Sequence, residues 1–490
     1  MRNSKTIVIL SALCAGVLAA GAQQTNDLEQ LKNQLRDLQA DFERVQREHR
    51  QQIDSLTKRL DELTRQQNAD AEKKKLEQDL AAKLAADQPP AAGQTAAPQP
   101  APAVPWSPAA PLTLARAGSA YMNISFDALM DAGWSTDSDP SHYLELGDHD
   151  PIERGFSMRN AEIALDGAVD PYFKGFGNIV LKLDHNNETS IELEETYLQT
   201  AALPANLQVK AGQFFANFGR QNPQHPHQWA FVDEPVILAR TLGPEGLRNL
   251  GAQVSWLAPT PFYTEAFLGV FNGQGGTAFS FRNPGDSLLG ADRVHGRATT
   301  DRSLEGAGDL LYVPRLASSF DLTDQQTLVL GASAAFGPNE TGSGQRTEIY
   351  GGDIYWKWKA ANAQAGFPFV SWQTEGLYQR FEAGADPGLG LPSETLADWG
   401  FYSQLLWGFK NRWVAGLRGE YADGNHGAFD AQDVYRGERT RIAPNLTFYP
   451  SEFSKIRLQY DYDHGALFGT AHSVWLQVEF LLGAHGAHKF

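Results

Sequence analysis

The chain has 490 residues, 58 acidic against 41 basic side chains, 46 Gly, 26 Pro and a single cysteine. A formal charge of −17 argues against nucleic acid as partner, since phosphate binding wants a basic footprint, and the lone Cys14 rules out a disulfide framework or a thiolate zinc site. Aromatics reach 11% in a chain of negative mean hydropathy, a composition that fits many short strands with aromatic girdles.

Residues 1–22 read as an export signal: Arg2 and Lys5, an apolar run from Ile7 to Ala19, and an Ala20-Gly21-Ala22 cleavage site. The run is too short for a spanning helix, which needs about 20 residues. From 23 to 87 proline vanishes and apolar residues step by three and four: Leu28, Leu31, Leu35, Leu38, Phe42, Val45, then Ile53, Leu56, Leu60 and Leu63. This heptad pattern predicts an α-helical coiled coil, with His49 and Gln52 as polar seam residues that set register. Residues 88–115 are Ala, Pro and Gln with almost no charge and form an extended spacer. Up to Ala115 acidic and basic residues balance, 14 of each, so the excess of 17 lies in the part that follows.

From 116 to 490 the period becomes two. Met122, Ile124 and Phe126 alternate with Asn123, Ser125 and Asp127; Ile456, Leu458, Tyr460 and Tyr462 alternate with Arg457, Gln459, Asp461 and Asp463. Segments at Phe173 to Asp184 and Val474 to Phe480 behave alike. Each has the length of a tilted membrane strand, and full charges on the polar face suit a water-filled lumen better than a sandwich surface. Trp356, Trp358, Trp399, Trp407, Trp413 and Trp475 stand near strand ends, as an interfacial girdle requires, and Phe490 closes the chain. The reading is all-β: a closed antiparallel transmembrane barrel of about sixteen strands, preceded by the coiled coil.

Two irregular stretches interrupt the pattern. One follows the fifth strand, Leu207 to Phe214, and runs through Arg220, His225, His227, Asp233, Glu234, Arg240 and Arg248. The other, Phe281 to Gly308, is rich in Gly, Asp and Arg and reads as an extracellular loop.

Leu207-Gln-Val-Lys-Ala-Gly-Gln-Phe-Phe-Ala-Asn-Phe-Gly219, Leu247-Arg-Asn-Leu-Gly251, Phe401 to Leu406 and Leu446 to Tyr460 resemble segments of the phosphate-selective porin O and P family. The resemblance spans Ser119 to Phe490. It implies a sixteen-stranded barrel in the bacterial outer membrane, usually a homotrimer, passing small solutes by diffusion, with the stalk in the periplasm. In position, the stretch after the fifth strand resembles the loop that folds inward in sixteen-strand general porins, the alternative being an external loop with solvated charges. Arg220, Asp233, Glu234, Arg240 and Arg248 are then the constriction candidates. Lys174, Lys182, Lys210, Arg418, Glu420, Arg439, Arg441, Arg457 and Asp461 are the lumen-lining candidates. An arginine-lined channel favours anions such as phosphate. Asp127, Asp166, Asp184 and Asp463 are equally placed, however, so mixed charge predicts a weakly selective pore.

Two other classes compete. The coiled coil could tether the outer membrane to the cell wall through residues 24–87. A metal-uptake receptor would use His225, His227, His485 and His488, but a zinc site needs three or four converging ligands, and two His pairs in Gly- and Pro-rich segments read as turn residues. No metal or other cofactor is therefore expected. No nucleophile elbow, phosphate loop or zinc-protease helix occurs, and the pairs Glu194-Glu195 and Asp233-Glu234 read as lumen charges rather than as an acid and base, so catalysis is not expected.

Overall fold

A polar–apolar alternation that spans a membrane leaves no sheet edge unpaired only if the sheet closes on itself. The computed structural model shows this closure. It describes residues 111–483 apart from 283–292, 300–302, 343, 431–432 and 434–435. The export signal, the coiled coil, most of the spacer, His485, His488 and Phe490 lie outside the described residues.

The strands are β1 (Leu112–Ala117), β2 (Ala120–Ser135), β3 (Gly155–Ala168), β4 (Phe173–Leu183), β5 (Thr189–Thr200), β6 (Leu207–Phe215), β7 (Arg248–Leu257) and β8 (Tyr263–Phe271). A two-residue pair follows, β9 (Arg293–Val294) and β10 (Arg297–Ala298). Then come β11 (Leu311–Thr323), β12 (Gln326–Pro338), β13 (Arg346–Gln364), β14 (Phe367–Ala383), β15 (Glu394–Lys410), β16 (Trp413–Gly424), β17 (Arg439–Ser451), β18 (Ser454–Gly465) and β19 (Gly469–Leu482). Strands β2–β8 and β11–β19 form a closed sixteen-strand antiparallel barrel, β8 pairing with β11 and β19 with β2. β1 is additional. It pairs with the start of β2, from Leu112 opposite Ile124 to Ala117 opposite Ala120, where β19 has already ended at Leu482 opposite Phe126. The last residues assigned to the spacer therefore belong to the sheet, because Leu112 and Thr113 complete hydrogen bonding that β19 leaves open.

The period of two decides what each face meets. On β18 Lys455, Arg457, Gln459, Asp461 and Asp463 are buried inside, and Ile456, Leu458 and Tyr460 are exposed outside. Trp372, Trp399 and Trp407 stand on the outer face. Trp475 does not: by parity it points inward, fully buried, and a Cβ on Gly133 would lie 2.2 Å from its ring. One rim carries short turns such as 324–325, 365–366, 411–412 and 452–453; the other carries 136–154, 216–247, 272–310 and 425–438. This asymmetry is that of outer-membrane barrels, whose long loops are extracellular.

Candidate functional site

The connection after the fifth barrel strand, β6, turns into the barrel. Its hinge is Gly219, at φ +61°, where a Cβ would sit 2.1 Å from the Glu375 carboxylate. Glycine lets that carboxylate approach, and Glu375 Oε1 accepts hydrogen bonds from the backbone N–H of Arg220 (3.0 Å) and Gln221 (2.7 Å). Tyr402 Oη donates to the same oxygen at 2.7 Å.

After a one-turn 3-10 helix at Pro226–Gln228, the loop crosses to the opposite wall. Lys455 donates to the His227 carbonyl (2.8 Å), Arg457 to those of Trp229 (2.8 Å) and Phe231 (2.9 Å), and Asn445 to that of Ala230 (2.9 Å). Gln459 accepts from the Val232 N–H at 2.9 Å. The helix α1 (Val236–Leu242) then begins, with no side chain of its own to cap it; Glu420 Oε2, from the barrel wall, accepts the Val236 N–H at 2.7 Å. All seven helical residues are buried. Ile237 and Leu238 join Phe214, Phe218, Phe271, Leu377 and Tyr402 in one apolar cluster inside the barrel. Two inward glycines make room: a Cβ on Gly351 would lie 2.8 Å from Phe218 and one on Gly400 2.9 Å from Ile237.

Asp233 is the electrostatic node. Arg418, Arg441 and Gln459 all donate to its carboxylate, and Arg418 also donates to its carbonyl at 2.9 Å. Burial pushes this carboxyl up, and the two guanidinium groups outweigh burial, holding it down at about 2. Its neighbour Glu234 goes the other way: burial first, then the negative charge of Asp150, raise it well above the ordinary value. Glu234 thus keeps its proton where an exposed glutamate has lost it. We expect Glu234→Gln to leave the thermal stability of the barrel near wild type, because burial favours the neutral carboxyl and the amide reproduces it. A heat-dependent gel-mobility assay checks this, and a large loss of stability would show that Glu234 carries charge.

The other predicted residues fall as follows. Arg240 is buried on α1, with Nε 3.2 Å from Asp398. Arg248 opens β7 and pairs with Glu192 and with Glu245 (2.7 Å). Arg220 is half-buried, donating to Gln373 at 3.1 Å with its guanidinium 3.8 Å above the Tyr355 ring. Lys182 is buried between Asp148 and Glu192, and Lys210 lies 4.4 Å above the Tyr197 ring. Arg418, Glu420, Arg439, Arg441, Arg457 and Asp461 all face inward and are buried. Lys174, second residue of β4, shares the inward parity of Asn178 and Lys182 but is exposed, beside the short turn. Asp463, which bonds both Arg439 (2.8 Å) and Arg441 (3.0 Å), belongs with this set, as do Glu375, Lys455 and Gln459, which the sequence reading did not single out for the site although they share the inward parity.

The arginines on β16, β17 and β18 are thus committed to the loop or to carboxylates. The open space lies beside them: a cavity of about 140 Å³ lined by Arg220, Gln224, Gln228, Ala230, Tyr355, Ser371, Gln373, Gln404 and Leu406. Among the described residues, Arg220 is the sole charge in that lining.

His225 and His227 enter a second cluster. A β-bulge in β5 at Glu194 turns the consecutive Glu194 and Glu195 both inward, where regular alternation would send one outward. His225 Nδ1 lies 2.9 Å from Glu194 and 3.7 Å from Glu162; its Nε2 lies 3.0 Å from Glu195. His227 Nδ1 lies 3.3 Å from Glu162 and 3.4 Å from Asp127. Sequence spacing gave no sign that these carboxylates, on three strands, converge on the His225-Pro-His227 turn.

No family model matches the chain. An uncharacterised protein of Aquifex aeolicus (strain VF5) is 32% identical over 375 residues, covering 72% of this chain and 74% of that one. Among solved structures, the outer membrane channel DcaP of Acinetobacter baumannii aligns with a TM-score of 0.50 at 12% identity, over 74% of this chain and 98% of that one, and so shows the same barrel fold. The anion-selective porin from Comamonas acidovorans aligns at 0.45 and 9% identity, over 74% of this chain and all of that one (100%).

Proposed function

This chain belongs to one family with the Aquifex aeolicus protein, and we propose that it is an outer-membrane porin through which small charged solutes diffuse passively. One observation carries the reading: a closed barrel with an apolar outer face and a charged inner face holds its own loop inside, leaving a polar cavity beside that loop. A scaffold would gain nothing from rows of buried charge in its interior, since each costs desolvation free energy that only paired partners offset.

The constriction in this reading is formed by Arg220 and the loop segment through Asp233 and Arg240. Asp233, Glu234, Arg240 and Arg248 act as struts rather than as solute contacts, because their polar atoms are turned to the protein. Arg220 faces the cavity with amide and hydroxyl groups around it, which favours small anions, inorganic phosphate among them, over cations. The barrels assemble as homotrimers through their lipid-facing walls. Purified protein in a planar bilayer under a KCl gradient tests the reading. We expect a steady conductance with a reversal potential on the anion side, and added phosphate should lower the chloride current. Folded protein that passes no current would remove the proposal.

A further inference from the structure

The cluster at the His225-Pro-His227 turn has more negative charge than its own side chains neutralise. Asp127 on β2, Glu162 on β3 and Glu194 and Glu195 on β5 are all buried, with side-chain exposures of 6%, 1%, 0% and 8%. Against four carboxylates stand the imidazoles of His225, His227 and His149, so even three imidazolium ions leave one negative charge. The neighbouring Lys455 is engaged by Glu479, and the other approach to Glu194 comes from His149, at 3.5 Å. Uncompensated charge in such a setting is expensive unless a cation joins it. Asp127 accepts from Asn160 on one oxygen (2.9 Å), and its Oδ2, buried and without a hydrogen-bond donor, is directed at His227.

The spacing of the donors points the same way. Nitrogen and oxygen ligands about 2.0–2.2 Å from a tetrahedral zinc ion stand roughly 3.4 Å from one another. The donor separations here are 2.9 and 3.7 Å around His225 Nδ1 and 3.3 and 3.4 Å around His227 Nδ1. The donors fall into two adjoining triads, Asp127–Glu162–His227 and Glu162–Glu194–His225, which share Glu162. Glu195 completes the pattern by holding the other nitrogen of His225 at 3.0 Å, the role that an outer carboxylate plays for a metal-bound imidazole. The bulge at Glu194 supplies ligand and outer carboxylate from adjacent residues. The irregularity re-aims side chains, and here it brings both glutamates to the site.

We propose that Asp127, Glu162, Glu194, His225 and His227 bind a divalent first-row transition-metal ion that ties the turn of the inward loop to the β2–β3–β5 wall, with Glu162 as the shared ligand. Imidazole nitrogen combined with carboxylate oxygen suits zinc, and also iron, nickel or cobalt, better than the all-oxygen ions magnesium and calcium. Metal binding here can hold whether or not the barrel passes solutes, and its test needs no current.

Full-length protein is stripped with chelator in detergent, incubated with zinc chloride, desalted and analysed for metal by mass spectrometry. We expect about one ion per chain, or two if both triads fill. Glu162→Gln should reduce retention at least ~10-fold and His225→Ala/His227→Ala should abolish it, while His426→Ala, at an exposed site, should change nothing. Heat-dependent gel mobility establishes that each variant is folded. Cobalt(II) then gives a visible absorption band that is lost in the same variants. Folded wild-type protein holding no more zinc than the double variant, or equal retention by Glu162→Gln, overturns the assignment.

Discussion

Replacing Asp233 by alanine should release the inward loop and widen the channel. The carboxylate receives Arg418, Arg441 and Gln459 at once, so its removal leaves two buried guanidinium groups without their shared counter-charge. Breaking a buried pair in this way costs about 3–5 kcal/mol, a loss that falls on the segment just before the helix. We expect a larger and noisier single-channel current and a lower temperature for loss of the folded gel form. Asp233→Asn, which keeps an oxygen for Gln459, should fall between the two. The pH dependence follows from the same contacts. The folded carboxyl is held at about 2, so its contribution is complete above the ordinary carboxylate value and is lost as the pH falls through that range toward 2. Wild-type current should therefore rise in strong acid, and the current of Asp233→Ala should not respond. An unchanged conductance in Asp233→Ala would mean that the loop does not limit the pore.

Arg220→Glu should invert the sign of the reversal potential. Arg220 stands apart from the other arginines: among the described residues it is the one charged side chain lining the cavity beside the loop, whereas Arg418, Arg439 and Arg441 face carboxylates. In water an ion about 6 Å away feels a unit charge by roughly 0.7 kcal/mol. Reversal of the charge doubles this to about 1.4 kcal/mol, a tenfold change in partition. Salt screens part of the effect, so the ratio should move most at low ionic strength. Arg418→Leu, by contrast, should alter stability more than selectivity. If Arg220→Glu left the reversal potential in place, the solute path would lie elsewhere.

The sixteen-strand barrel was legible because burial and lipid contact both act with a period of two. Each strand wrote its own answer at Met122–Asp127 and Ile456–Asp463 without reference to any other strand. The loop after β6 was legible in position for a similar reason: alternation stops after Phe214. What sequence could not supply was convergence. Asp233, Arg418 and Arg441 meet only because three distant segments face one interior point, and nothing in a window of local residues encodes that meeting. Glu194 was hidden by a different cause. A bulge breaks the parity rule that assigns faces, so two adjacent glutamates entered the interior where the rule admits one. Trp475 misled through composition: an aromatic near a strand end suits the girdle, and only its parity with Gln477 and Glu479 reveals the inward face.

The cross-lumen fastening of the loop has a consequence for the order in which the molecule is made. Glu375, Arg418, Arg441, Arg457 and Gln459 reach the loop from positions 154 to 228 residues later in the chain. Until β16 and β17 are in place, Asp233 lacks both of its arginines. Contacts of such long sequence separation form late, because the intervening chain must first be ordered. Docking of the loop is therefore a terminal event of maturation, and the newly closed barrel passes through a wide, hydrated stage before its own charges shut most of it.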